Sequence, residues 1–262
     1  MEKGRTDFIK LSDAFIKDDE ITADEKFIYA VIKINNPLGL STVSIVGILE
    51  QLNMSSNESR NKSKIKKAIQ KFEELGHIEV YKDQAGMCMI EASKIKPATA
   101  YSFKCLDTVD EEGYFTIFDI EVIKKFMGLE KREKFGVFSV YASVVAPIFE
   151  DDKNTKVSWV SQETIQLETG LSEKTVSKYI YLLKDNMELI DLKKLRFTPR
   201  KHAKGKKVVS KTHNFYWKIE DSSQATSGVI DAMNKLGYSK ETHYIQQIDR
   251  NNQVVEVQDG EA

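Results

Sequence analysis

One stretch constrains the fold more than any other: Ser161-Gln-Glu-Thr-Ile165-Gln-Leu-Glu-Thr-Gly170-Leu171-Ser172-Glu-Lys-Thr175-Val176-Ser-Lys-Tyr-Ile180-Tyr-Leu-Leu183. The spacing predicts two short helices meeting at a tight turn. Ser161 caps the first, Gly170 supplies the positive φ that ends it, Ser172 caps the second, and Val176, Ile180 and Leu183 face a core. This is helix-turn-helix grammar. The N-terminal half repeats it as Ser44-Ile-Val-Gly-Ile48-Leu-Glu-Gln-Leu52-Asn53-Met54-Ser55 and, after about six extra residues, as Lys64-Ile65-Lys-Lys-Ala-Ile69-Gln-Lys-Phe72. Asn53 replaces Gly170 as the other residue type that tolerates φ above zero. A second pair of segments, Thr22 to Ile34 and Glu130 to Tyr141, also matches, at an offset of about 110 residues. In the first of these, Thr22 and Glu25 have capping-box spacing, and Phe27, Ala30, Val31 and Ile34 recur at helical intervals. The chain therefore reads as a duplicated domain.

Each second helix of the repeat runs into alternating β-prone sequence, Leu75-Gly-His-Ile78-Glu-Val80-Tyr in one copy and Leu189 to Phe197 in the other. A hairpin is expected after each. In the second copy the return strand is Asn214 to Ile219, which leaves residues 198 to 212 as a long loop, the geometry of a wing. The expected fold class is mostly α with small β-hairpins, within α+β. Two domains, 1–106 and 107–220, precede a tail over 221–262 that holds one weak helical stretch, Val229 to Leu236, and is otherwise polar, acidic and mobile.

Charge is strongly segregated although the net charge is only -1. Residues 193–219 carry ten basic side chains and no Asp or Glu, whereas 1–192 and 220–262 are each net acidic. Local basic density, not total charge, decides whether a surface attracts phosphate. In the second copy, subtracting the core positions leaves Lys174, Thr175, Lys178 and Tyr181 on the outer face of the second helix. Lys can meet guanine acceptors or phosphate, Thr offers a methyl and a hydroxyl, and Tyr donates to phosphate or sugar. The wing adds Arg196, Arg200, Lys201, Lys204, Lys206, Lys207 and Lys211, with Lys193, Lys194 and His202 interleaved. The corresponding face of the first copy holds Arg60, Lys62, Lys64, Lys67 and Lys71, uninterrupted by an acid from Ser59 to Lys71.

Several function classes find no support. No apolar run approaches the roughly 18 residues of a membrane span, and the start Met1-Glu-Lys-Gly-Arg-Thr-Asp leads into no apolar signal core. With only Cys88 and Cys105 present, reduced thiols and a cytoplasmic location are expected. There is no Gly-rich phosphate loop followed by Lys-Ser or Lys-Thr, no His-Glu-x-x-His and no cysteine pair at zinc spacing, so no enzyme, cofactor or metal is expected. The acidic runs Asp18-Asp19-Glu20 and Glu150-Asp151-Asp152 read as solvated loop ends, and Trp159, Phe215 and Trp217 as core and hairpin-face aromatics.

The opening Phe8-Ile-Lys-Leu, the Thr22 to Ile34 helix, the two helix-turn-helix stretches and the Leu-Gly-x-Ile ending at Leu75 to Ile78 resemble tandem winged-helix DNA-binding proteins. The likeness covers roughly residues 8 to 220, and the nearest look-alikes are replication initiators of bacterial plasmids and phages and the DnaD-like replication proteins. The resemblance implies binding of double-stranded DNA at a specific, repeated site, with host replication proteins and a second copy of the chain as further partners. A winged-helix transcriptional regulator is the alternative, and a protein–protein interaction module is the third reading. In the first copy, Ser56 to Asn61 are inserted within the turn and the hairpin turn Lys82 to Gly86 is not basic.

Overall fold

The computed structural model describes residues 8–36, 39–106, 114–130, 132–148, 155–200 and 208–257. The chain divides into two compact units, residues 1–142 with 168–171, and residues 143–167 with 172–262. The division falls inside a helix at 142/143, not at the 106/107 junction that the repeat suggests.

In the first unit β1 (Phe8–Ser12) leads into α1 (Asp13–Lys17), α2 (Ala23–Lys33), β2 (Leu40–Val43), α3 (Ile45–Gln51) and α4 (Ser59–Glu74). β3 (Ile78–Tyr81), β4 (Tyr101–Cys105), β5 (Phe115–Asp119), α5 (Ile120–Met127) and α6 (Glu133–Val145) follow. The caps are those the residue types dictate. Thr22 and Glu25 close a reciprocal capping box, the Ser44 hydroxyl accepts from Gly47 N, and Asn53 sits at φ 49° in the turn. Three residues placed in the inserted turn, 59–61, are instead helical, so α4 begins at Ser59, earlier than its hydrophobic pattern. The hairpin gains a third strand, giving the antiparallel order β2-β4-β3. A separate ribbon pairs β1 with β5, Ile9 opposite Phe118 and Leu11 opposite Thr116.

The core of this unit joins both halves of the repeat. Phe27 of α2 is fully buried, with its ring 6.4 Å from Phe126, 5.8 Å from Phe135 and 4.9 Å from Phe138. Next to each matched phenylalanine stands a buried lysine at the matched position of the repeat. Lys134 donates to Leu52 O at 2.7 Å and to Met127 O at 2.9 Å. Lys26 donates to Glu168 O, in the stretch 168–171 that groups with this unit. Each long stem fills apolar space while its amine satisfies carbonyls at a helix end.

Burial lowers the Lys26 pKa to about 8, against its ordinary 10.5, with Glu168 and then Asp18 and Asp19 opposing. The unfolded chain therefore binds more protons between those two values, and stability rises with pH across that window. Below about pH 8 both states are protonated and the burial penalty is constant. Urea midpoints measured from pH 7 to 10.5 should rise relative to those of Lys26→Met, a variant without the titrating group. Parallel curves for the two proteins would contradict the assignment.

The second unit contains most of α7 (Gln162–Thr169), then α8 (Glu173–Tyr181), β6 (Ile190–Pro199), β7 (Lys211–Lys218), α9 (Ala225–Lys235), β8 (His243–Ile248) and β9 (Val254–Val257). Ser161 and Ser172 cap α7 and α8, accepting from Thr164 N at 3.0 Å and Thr175 N at 3.3 Å. Gly170 has φ +66° between them. β6 and β7 pair from Ile190↔Lys218 to Phe197↔Lys211 in a sheet of order β7-β6-β8-β9. Across this sheet lies α9, closing a core of Leu195, Phe197, Phe215, Trp217, Val229 and Ile245.

This corrects the expected fold class. Among the described residues the protein is α+β with nine α-helices and three sheets, 45% helical and 23% strand, so the sheets are more than small hairpins. The segment expected as a mobile tail builds α9, β8 and β9 onto the second copy's own sheet. α9 reads weakly because small residues make its contact: a Cβ on Gly228 would stand 2.6 Å from Val157 Cγ2. Residues 258–262 lie outside the described residues.

Candidate nucleic-acid interface

α8 presents the face that its periodicity predicts. Val176 and Ile180 are buried, while Lys174 and Lys178 are exposed and Thr175 is half-buried. The Thr175 hydroxyl lies 2.9 Å from Ser172 Oγ within the cap. The Lys178 ammonium stands 5.6 Å from the Tyr179 ring centre. Tyr181 is half-buried beneath the Arg250 guanidinium, 4.6 Å from the ring centre. Burial pushes the Tyr181 phenol above its ordinary pKa, so it stays a neutral donor.

Along this face runs a groove of about 610 Å³, lined by Lys174, Thr175, Lys178 and Tyr181 from α8, Lys194 from β6, and Arg250 and Asn252 from the turn between β8 and β9. That turn is fastened to the sheet. Asn252 Oδ1 accepts from Lys194 Nζ at 2.7 Å, and Asn252 O accepts from Arg196 Nη2 at 3.1 Å. Asp249 Oδ1 accepts from the N–H groups of Asn251 and Gln253, both at 2.8 Å, and Asn252 adopts φ 64°. Burial, with Arg196 beside it, lowers the Lys194 pKa, so a phosphate there would find an under-compensated cation.

The expected wing residues divide. Lys211 is exposed at the start of β7, whereas Arg200 donates through Nε to Lys240 O at 2.7 Å and holds its guanidinium carbon 4.2 Å from the Tyr244 ring centre. Arg196 is half-buried and committed to Asn252. Lys201, Lys204, Lys206 and Lys207, with His202, lie outside the described residues.

The first copy differs. Lys64 forms an ion pair with Asp24 and lies 4.2 Å from the Phe135 ring centre. Lys71 pairs with Glu25 Oε2 at 2.9 Å and also donates to Glu20 O. Although burial works against it, Glu25 stays below the usual carboxylate range through hydrogen bonds from Lys71 and Thr22. Two of the five cations on this face are thus neutralised by Asp24 and Glu25 in the first turn of α2. Arg60 and Lys67 are exposed, and with Lys64 and Arg132 they border a cavity of about 950 Å³ that Asp24 and Glu58 also line; Lys62 is half-buried nearby.

Arg250 and Asn252 were not evident from sequence. The usable signal was Asp249-Arg-Asn-Asn252-Gln between β-prone runs, a turn signature that the surrounding acidic composition masks. Among the described residues no helix is long and apolar enough to cross a membrane, and no group of three or more His, Cys, Asp or Glu could hold a metal ion. Neither Cys88 nor Cys105 forms a disulfide. In comparisons with protein-family models and with curated proteins, nothing matches this chain.

Proposed function

We propose that the chain binds duplex DNA through α8 of its second helix-turn-helix, reads a specific and repeated site, and acts as a replication initiator of the plasmid or phage type. The observation that carries the DNA reading is the outer face of α8. It exposes Lys174 and Lys178, with half-buried Thr175, beside Lys194 and Arg250, and Glu173 is the one carboxylate lining the same groove among the described residues. A B-form major groove admits one α-helix, and side chains of these types can meet base edges and flanking phosphates. The exposed Lys211 and the basic residues 201–207 supply further phosphate contacts.

In the first copy, Arg60, Lys62 and Lys67 are available for phosphates, while the ion pairs of Lys64 and Lys71 weaken that face as a DNA reader. Its role is then positioning on an adjacent site or recruitment of host replication proteins or a second copy. A ligand-responsive regulator needs an effector domain, and the residues after 220 extend the second copy's sheet instead. This favours initiation over transcriptional control.

The test is protection mapping across the genetic element that encodes the protein. Protected repeats within a replication origin are expected; a single protected operator beside a promoter would replace initiation by regulation.

A further inference from the structure

We propose that the β8–β9 hairpin is a second DNA clamp: the groove between α8 and the Asp249–Gln253 turn seats one sugar-phosphate strand of the duplex, with Arg250 and Lys194 on its phosphates. This rests on the duplex-DNA reading above and adds a site that the basic wing of residues 200–211 does not supply.

Three observations carry it. First, among the described residues the groove is bordered by Lys174, Lys178, Lys194 and Arg250 against one lining carboxylate, Glu173. The nearby Asp249 turns its Oδ1 into its own turn, toward the N–H groups of Asn251 and Gln253. Second, Arg250 is pre-set for phosphate. Its guanidinium carbon stands over the exposed side of the half-buried Tyr181 ring, 4.6 Å from the centre, and no hydrogen bond or ion pair engages its N–H groups among the described residues. A guanidinium already held against a ring, with its N–H groups uncommitted, can meet two oxygens of a phosphate and loses little rotamer freedom on binding. Third, β9 has no buried face, whereas β8 buries Ile245 and Ile248. Val254 to Val257 are all exposed, yet β8 pairs with β6 and Asn252 is tied to both Lys194 and Arg196 of β6, which holds this turn beside α8. A helix reading bases and an adjacent cationic turn gripping the backbone is a division of labour between sequence and position.

The experiment compares the whole chain with Arg250→Ala, Arg250→Lys and, as a control for net charge, Lys125→Ala on the exposed side of α5. Binding to a fluorescent duplex of about 30 base pairs is titrated at several salt concentrations, with circular dichroism confirming the same fold. Arg250→Ala should bind roughly 5- to 10-fold more weakly near 100 mM salt, equally on protected and random sequence, and its slope of log affinity against log salt should be shallower by about 1. Arg250→Lys should keep the slope, and Lys125→Ala should match wild type. Wild-type binding with an unchanged Arg250→Ala affinity and slope would overturn the clamp alone. Tighter binding by Arg250→Ala would overturn it too, making the hairpin an obstruction over α8. A wild-type chain that binds no duplex would overturn the DNA reading and the clamp with it.

Discussion

Phe27→Ala is expected to destabilise the first unit by about 3–5 kcal/mol. The side chain is fully buried, and its ring meets those of Phe126, Phe135 and Phe138 within 6.4 Å. Truncation removes the transfer free energy of a phenyl ring and leaves a cavity whose walls belong to three helices, α2, α5 and α6. Those walls are themselves aromatic and rotamer-restricted, so collapse into the space is limited. Both tryptophans, Trp159 and Trp217, lie in the second unit, so helical circular dichroism rather than their fluorescence should follow the loss. A fall in the denaturation midpoint equivalent to less than about 1 kcal/mol would mean that the ring cluster is not the centre of the core. Phe27→Leu, which keeps most of the volume, should cost less than half as much.

Local chemistry was legible in the sequence and distant pairing was not. Thr22 with Glu25, Ser161 with Thr164, and Ser172 with Thr175 are caps formed within three residues, and Asn53 and Gly170 occupy the positive-φ positions their residue types favour. Such signals need no knowledge of the rest of the chain. The β1–β5 ribbon joins residues more than a hundred positions apart, and no local pattern in Phe8 to Ser12 announces its partner. β9 has no buried face, so the alternation that marks a half-buried strand is missing from Val254 to Val257. The tail therefore read as mobile although its helix seals the second core.

The site divides along the same line. The outer face of α8 followed from subtracting Val176 and Ile180, whose burial is local periodicity made visible. That Arg250 stands over Tyr181 depends on β8 pairing with β6 in the register Leu195↔Gln247, which is a sheet-level fact. Likewise, the neutralisation of Lys64 and Lys71 comes from Asp24 and Glu25, acids some forty residues earlier in sequence. A basic run free of acids in sequence is not a basic surface once the helix packs.

Affinity of the whole chain for duplex DNA should fall by about a thousandfold between roughly 50 and 200 mM salt. Each phosphate neutralised contributes about -0.9 to the slope of log affinity against log salt, and about six engaged cations give a slope near -5. Lys174, Lys178, Lys194, Lys211 and Arg250 are described around α8 and the flanking strands, and residues 201–207 add four more lysines. The double variant Lys174→Ala/Lys178→Ala should flatten the slope by about 2, because it removes two contacts from the reading helix. The direct measurement is a fluorescence-anisotropy titration of both proteins on one duplex across that salt range. A steep wild-type slope, shallower in the double variant, is the predicted result; no binding at low salt, or a flat slope shared by both proteins, would contradict DNA recognition by α8.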